Sequence, residues 1–145
     1  KKFLEEPDGW IEDKLNSCLV LSCCYQAMGE NAAAFDILFY SFTMDVPRAE
    51  ICCEIGRLFM EKREYVTAAY WYQQALLAPR KKKNGGFYIA DSHDFIPAIQ
   101  MCVCLDKAGR HREAFEFHKK ARVLKPLHQA VIGNEKYFRD VWGME

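Results

Sequence analysis

Apolar and small residues recur every three or four positions from Ile51 to Pro79, with one charged interruption at Glu61 to Glu64. The recurring positions are Cys52, Ile55, Gly56, Phe59, Ala68, Ala69, Tyr72, Ala75 and Leu76. This spacing predicts two amphipathic helices joined by a short polar turn. Gly56 and Ala68 lie on opposite sides of that turn, so we expect the two helices to approach each other closely there.

The same pattern along the whole chain predicts seven helices and no convincing strand. The expected bounds are about Trp10–Met28, Asn31–Asp45, Arg48–Lys62, Glu64–Ala78, Ser92 or Asp94 to Lys107, His111–Leu124 and Leu127–Val141. Asp8 is expected to cap the first helix, and Gly29 and Gly109 to end the first and fifth. Residues 81–92, which are basic and contain a glycine pair, form an expected insertion loop.

The predicted hairpin at residues 51–79 has two further copies in the chain. Cys52 matches Cys18, which lies 34 residues upstream, and Ala98, which lies 46 residues downstream. At the same offsets the other positions match Leu21, Ser22, Tyr25, Ala34 and Leu38 upstream, and Met101, Cys102, Leu105, Ala114 and His118 downstream. Self-similarity of this kind predicts a helical repeat architecture.

The spacing Cys52-x2-Ile55-Gly56-x2-Phe59, followed by Ala68-x3-Tyr72, resembles the tetratricopeptide repeat. The resemblance departs from the family at Cys52, where tryptophan is usual, and at Ser22, where glycine is usual. It implies an all-α, right-handed superhelix of three hairpins plus a C-terminal capping helix. The single domain would cover residues 1–145, with repeats at about 15–48, 49–80 and 95–128, the insertion at 81–92 and the last helix at about 127–141.

A narrower resemblance covers almost the whole chain. EPDGW, AAYWYQQAL, GGFY, PAIQMCVCLDKAGRHREAFEFHKKARVLKP and NEKYF are similar to the C-terminal helical region of bacterial family 2 glycosyltransferases. The resemblance implies that the chain is a fragment whose nucleotide-sugar-using catalytic domain comes first. The chain contains no Asp-x-Asp motif and no glycine-rich phosphate loop. We therefore expect a non-catalytic module without a cofactor.

The composition of the chain limits the classes of partner that it could bind. The chain has 145 residues, of which half are hydrophobic, and its 20 basic and 20 acidic residues give a net charge of zero. A neutral chain has no global field to attract nucleic acid, and no apolar run is long enough to cross a bilayer. We expect one soluble, cytoplasmic domain with no nucleic-acid partner and no membrane span.

Seven cysteines and four histidines suggest three alternatives for the thiols. The cysteines are Cys18, Cys23, Cys24, Cys52, Cys53, Cys102 and Cys104, all within apolar helical patterns. The favoured interpretation is buried, reduced thiols. A zinc site is disfavoured because neighbours one or two apart on a helix point in different directions. A disulfide from Cys18 or Cys24 to Cys52 or Cys53 is the third alternative.

Stacked hairpins line a concave surface with the first helix of each pair, so the repeat resemblance implies a binding groove there. Its candidate residues are Asn16, Leu19, Cys23, Gln26, Glu50, Cys53, Arg57, Met60, Ile96, Ile99, Val103 and Asp106. A protein or peptide, the parent's own catalytic domain or a second copy of the chain could occupy it. The last helix is expected to cap the stack and cover part of the surface, using Val131, Ile132, Tyr137, Phe138, Val141 and Trp142.

The insertion loop is a second candidate contact. Its basic and aromatic residues are Lys81, Lys82, Lys83, Phe87 and Tyr88. They form either a solvated loop tip or a surface for an acidic partner or a substrate phosphate. The functional alternatives are thus a module of a glycosyltransferase that positions an acceptor or mediates dimerisation, and a free-standing adaptor that binds a peptide.

Overall fold

The computed structural model of the chain describes residues 7–79 and 90–145. In these two stretches there are seven α-helices and no strand. They are α1 Pro7–Ala27, α2 Asn31–Tyr40, α3 Ala49–Glu61, α4 Tyr65–Leu77, α5 Phe95–Lys107, α6 His111–Leu124 and α7 Gln129–Trp142. Short 3-10 turns occupy Ser41–Thr43 and Ala90–His93. The predicted all-α class is confirmed, and none of these helices is both long and apolar enough to cross a bilayer.

Two helix ends differ from the prediction by more than two residues. Helix α1 already includes Pro7, so Asp8 lies inside the helix and its predicted role as the cap is wrong. Helix α2 ends at Tyr40, five residues before the predicted end at Asp45, and a 3-10 turn follows. At that point the Ser41 hydroxyl donates a hydrogen bond to the Leu38 carbonyl at 2.6 Å. Serine hydroxyls compete with the helical backbone pattern in this way, which the apolar periodicity did not reveal.

The turns inside the three hairpins are alike. Each contains one residue with positive φ: Gly29 at 77°, Arg63 at 60° and Gly109 at 85°. The next N–H donates back to a carbonyl in the preceding helix: Glu30 to Tyr25 at 2.8 Å, Glu64 to Phe59 at 3.0 Å and Arg110 to Leu105 at 2.8 Å. This is the bonding of a Schellman helix end, which favours glycine at the left-handed position. The second hairpin makes the same turn with an arginine.

Replacing Arg63 with glycine should stabilise the protein. The left-handed conformation is costly for a residue with a Cβ, so we expect Arg63→Gly to raise the free energy of unfolding by about 0.5–1 kcal/mol. Urea denaturation with an unchanged slope measures the difference. Gly109→Ala is the reverse control, because its Cβ would meet no atom within 4 Å and would add backbone strain alone. An Arg63→Gly variant no more stable than the wild type would contradict the expectation.

Helices pack mainly on their neighbours in the chain: α1 on α2, α3 on α4, α4 on α5, and α5 on α6. The alanines that the repeat offsets align in the three second helices, Ala34, Ala68 and Ala114, are all fully buried. The other aligned positions are buried or half-buried, with the exception of Leu21 on α1. The internal repeat therefore describes the packing register of the three hairpins.

Gly56 marks the predicted close approach of α3 and α4. A Cβ built on it would lie 2.8 Å from Cε2 of the buried Tyr72 ring, closer than real contacts allow. The corresponding pairs in the other hairpins are Ser22 with Leu38 and Cys102 with His118. Where the first helix has a residue larger than Gly56, the second helix has a side chain smaller than Tyr72. Close packing requires such compensation.

Gly56→Ala should lower the free energy of unfolding by about 1–3 kcal/mol because the Tyr72 ring is held on all sides. Tyr72→Leu introduces the residue that the first hairpin has at this position. The double variant should lose less free energy of unfolding than the sum of the losses of the two single variants. Gly133→Ala is the matched control, since that α7 glycine has no atom within 4 Å of its Cβ and the change should stabilise by about 0.5–1 kcal/mol. Thermal unfolding of the wild type and of the four variants measures these effects. Strict additivity of Gly56→Ala and Tyr72→Leu would refute the steric explanation.

A buried arginine ties α1 to the start of α3. Arg48 is 4% exposed, and its Nη1 and Nη2 donate to the two carboxylate oxygens of Glu12 at 3.2 and 2.9 Å. Nη2 also donates to Asp45 at 2.8 Å. Two-pronged arginine–carboxylate bonds fix orientation as well as charge. The two partners lie 36 residues apart, so no local sequence pattern indicates this contact.

All seven cysteines are free thiols, and the prediction that all lie on apolar helix sides is wrong for two of them. Cys18, Cys52, Cys53, Cys102 and Cys104 are buried, whereas Cys23 and Cys24 are exposed. Burial raises the pKa of Cys52, Cys102 and Cys104 to about 12, so these thiols stay protonated at neutral pH. Cys23 and Cys24 are exposed because α1 packs mainly on α2.

Candidate binding groove

A cavity of about 320 Å³ lies where the first helices of the three hairpins meet. Its lining comprises Leu19, Cys23, Glu50, Cys53, Glu54, Arg57, Tyr72, Ser92, Ile96 and Gln100. The lining surface is mainly apolar and the cavity is open to solvent on one side. Helices α1, α3 and α5 each contribute, so the cavity's shape depends on the packing of all three hairpins.

Half of the twelve predicted groove residues line this cavity: Leu19, Cys23, Glu50, Cys53, Arg57 and Ile96. The prediction missed Glu54 and Gln100, which lie four residues after Glu50 and Ile96 and therefore on the same helix faces. It also missed Tyr72 and Ser92, which come from elements other than the first helices. The one-turn spacing could have identified the first two from the sequence.

A polar network crosses from α1 to α3 at one side of the cavity. Arg57 Nη2 donates to Glu54 Oε1 at 2.9 Å, and Nη1 donates to Glu61 at 2.5 Å. The same Nη2 also donates to the Gln26 carbonyl oxygen, and Gln26 Nε2 donates to Ser22 at 2.9 Å. The predicted groove residue Gln26 thus joins α1 to Arg57 instead of lining the cavity itself.

The floor of the cavity contains buried polar groups. Glu50 is 4% exposed, and its Oε2 lies 3.7 Å from Nε2 of the buried His93. The Cys53 thiol donates to the Ser92 carbonyl at 3.4 Å. Burial, with added repulsion from Cys52 and Glu50, raises the pKa of the Cys53 thiol well above its usual value. Cys53 is therefore protonated at neutral pH and lacks the thiolate that nucleophilic chemistry requires.

Two predicted groove residues of α5 beyond Ile96 are instead engaged at the end of the stack where α7 lies. Ile99 is buried in a cluster that includes Val131 of α7. Asp106 accepts a hydrogen bond from the Tyr137 hydroxyl at 2.6 Å and lies 2.6 Å from His111 Nδ1. Ile99 is therefore buried and does not line an open groove, whereas the assignment of the half-buried Asp106 stays a prediction.

The three remaining predicted groove residues lie outside the cavity lining. Asn16 is exposed on α1, Val103 is half-buried on α5, and Met60 packs half-buried against the main core cluster. These positions were chosen by register alone. Register places a residue on a helix side but does not show which neighbouring element covers it.

Helix α7 covers one end of the stack with fewer residues than predicted. Val131 and Phe138 are buried, whereas Ile132, Tyr137, Val141 and Trp142 remain exposed. The difference arises because polar groups carry part of the contact. His118, fully buried on α6, has its Nε2 2.6 Å from Glu135 Oε1 of α7, and Arg122 Nη1 donates to the same oxygen at 2.8 Å.

The bond from His118, with support from Arg122, holds the pKa of Glu135 below its usual range. A carboxyl whose folded-state pKa is lowered contributes stability that is fully present above its unfolded pKa of about 4.3 and is lost as the pH falls further. The attachment of α7 is therefore weakened in acid.

Glu135→Ala should lower the free energy of unfolding by about 1–3 kcal/mol at pH 7, because the buried His118 loses its acceptor. The difference from the wild type should shrink as the pH falls below about 4, where the wild-type carboxyl is protonated. Urea denaturation across this pH range measures it. Glu116→Ala is the control, since Glu116 pairs with Lys119 on the surface and should contribute under about 1 kcal/mol. A loss that is the same at pH 3 and pH 7 would contradict the linkage.

The predicted loop contacts Lys81, Lys82, Lys83, Phe87 and Tyr88 lie outside the described residues. Immediately after them, Asp94 accepts a hydrogen bond from the Phe95 N–H at 2.5 Å, so Asp94 and not Ser92 caps α5. Across residues 7–79 and 90–145, no group of three or more histidine, cysteine or acidic side chains is arranged to hold a metal ion.

Comparison with protein-family models, with curated proteins and with solved structures finds no match to this chain. The resemblances to the tetratricopeptide repeat and to the glycosyltransferase region therefore stay predictions from the sequence.

Proposed function

We propose that the chain is a non-catalytic interaction module that binds a segment of a partner protein in the cavity between α1, α3 and α5. The observation that supports this most directly is the cavity itself, which the first helices of three consecutive hairpins line together. Sites built on packed helices hold their shape better than sites on loops. The protonated Cys53 thiol at the cavity floor supports recognition instead of covalent chemistry.

The lining favours an apolar anchor residue. Leu19, Ile96 and the ring of Tyr72 present apolar surface, and a cavity of about 320 Å³ accepts one large side chain and part of a neighbour. At one side Glu50 and Glu54 contribute two carboxylates, whereas Arg57 contributes one guanidinium. A bound segment would therefore place an apolar side chain in the cavity and direct polar groups toward the Gln26–Arg57 side. Burial of a central apolar anchor commonly dominates the binding energy of such contacts.

A phage-displayed library of random peptides tests this proposal. We expect the selected peptides to share an apolar anchor and to bind at least about tenfold more weakly to variants with a charge in the cavity. Cys23→Arg is the first variant, because Cys23 is exposed and the substitution disturbs no core contact. Ile96→Glu is the second. Fluorescence anisotropy with one selected peptide measures each affinity.

The matched control is Val123→Glu on α6, a residue that is 81% exposed and is not in the cavity lining. It should bind the peptide as the wild type does. Affinity should also change little between low and high salt, since apolar burial is not screened. Peptides that bind Cys23→Arg and the wild type equally would place the site elsewhere on the chain.

The wider setting of the module is proposed from the sequence resemblance alone. Under that proposal the module belongs to a sugar-transferring enzyme, where it positions an acceptor protein, mediates dimerisation or packs on the catalytic domain. The alternative is a free-standing adaptor that binds a peptide. The reading frame upstream of Lys1 separates them, because the first requires a sheet-forming domain with an Asp-x-Asp motif and the second does not.

A further inference from the structure

The same three positions recur on one side of α1, α3 and α5. On α3 they are Ile51, Ile55 and Leu58; on α5, 46 residues later, they are Pro97, Met101 and Cys104; on α1, 34 residues earlier, they are Ser17, Leu21 and Cys24. This face is separate from the groove, which uses other positions of the same helices.

On α3 and α5 this face is buried under the second helix of the preceding hairpin. Ile51, Ile55 and Leu58 form one core cluster with Ala34 and Leu38 of α2. On α5, Met101 and Cys104 belong to the cluster that contains Ala68, Ala69, Tyr72 and Ala75 of α4. In both cases, a row of residues that includes alanine on the second helix of one hairpin packs against an apolar face on the first helix of the following hairpin.

On α1 the equivalent face is exposed. We call it the outer face of α1; it consists of Ser17, Val20, Leu21 and Cys24, with Met28 just beyond the helix end. Val20, Leu21 and Met28 are 55%, 43% and 62% exposed. No charged residue occurs between Lys14 and Glu30, so the face carries no charge.

The other end of the stack differs. Helix α7 is also covered on one side only, yet its sequence includes Glu135, Lys136, Arg139 and Asp140, as water-facing helices usually do. An uncharged apolar face on a terminal helix is typical of a surface that is buried in an assembly.

We propose that the outer face of α1 binds a fourth helical hairpin, which docks through its second helix as α2 docks on α3. The required chemistry is an amphipathic helix with alanine and a larger apolar residue four positions later, the pattern of Ala34 with Leu38 and of Ala68 with Tyr72. The same register would continue the stack by one unit in front of α1. Each repeat of such an array gains stability from its neighbour.

A second copy of the chain has no second-helix stripe free to dock on this face. The stripes of its second helices are already in use, because α2 covers α3, α4 covers α5, and α6 holds α7 through His118, Ala121 and Arg122. The occupant must therefore bring a stripe of its own. This inference does not depend on the groove, so either one can fail without the other.

The test fuses a copy of residues 49–79, whose second helix carries Ala68, Tyr72 and Ala75, in front of Lys1. A Gly/Ser linker of about 15 residues spans roughly 20 Å and gives the hairpin a high local concentration. Alkylation of Cys24 by iodoacetamide reports the outer face, and alkylation of the adjacent Cys23 reports the groove. Cys23→Ser and Cys24→Ser versions separate the two rates.

We expect the fusion to slow alkylation of Cys24 at least about tenfold, to leave Cys23 unchanged and to add helical circular dichroism. Leu21→Glu in the fused protein should restore the Cys24 rate, and it should leave the unfused chain folded because Leu21 is exposed there. A fused hairpin that stays unfolded, or a Cys24 rate equal to that of the unfused chain, overturns the proposal. An unfused chain that is dimeric by light scattering with Cys24 protected overturns it in favour of a second copy.

Discussion

The distance between the two helices of each hairpin is the constraint on which the remaining structure depends. It is set where a small residue of the first helix faces a side chain of the second, most tightly at Gly56 under the Tyr72 ring. Because the interior is close-packed, the pair must fill a nearly constant volume, and the serine–leucine and cysteine–histidine pairs of the other hairpins do so differently. Any change at one member therefore moves a helix unless the other member changes too.

This spacing also produces the groove. When hairpins repeat with the same internal distance, their first helices come to lie in succession, and the cavity forms between α1, α3 and α5. The polar network from Gln26 through Arg57 to Glu54 fixes how α1 sits beside α3. Helix α7 then closes the α5 end, because Ile99 and Asp106 contact it directly. The open part of the groove is thus what the last helix leaves uncovered.

Local patterns in the sequence predicted the helices, the glycine turns and the close contact at Gly56, because each depends on residues within one hairpin. Half of the predicted groove residues line the cavity, because the helix side on which each lies follows from the local register. Apart from the local misses at Ser41, Glu54 and Gln100, the failures involve partners distant in sequence. Periodicity could not show that Asp106 would bond Tyr137, that Arg48 would reach Glu12 or that Cys24 would lack a cover, since each depends on which element packs across from the residue.

The terminal helices at the two ends of the stack present different kinds of surface. At the C-terminal end, α7 combines two buried apolar residues, Val131 and Phe138, with a hydrogen bond between the Glu135 carboxylate and the fully buried His118. Such a bond is directional and fixes one orientation, whereas apolar burial alone tolerates sliding. At the other end, the outer face of α1 offers apolar area and no charge. A surface of that kind supplies affinity without orientation, so the orientation of its occupant must come from the small-residue register that α2 and α4 already use on α3 and α5.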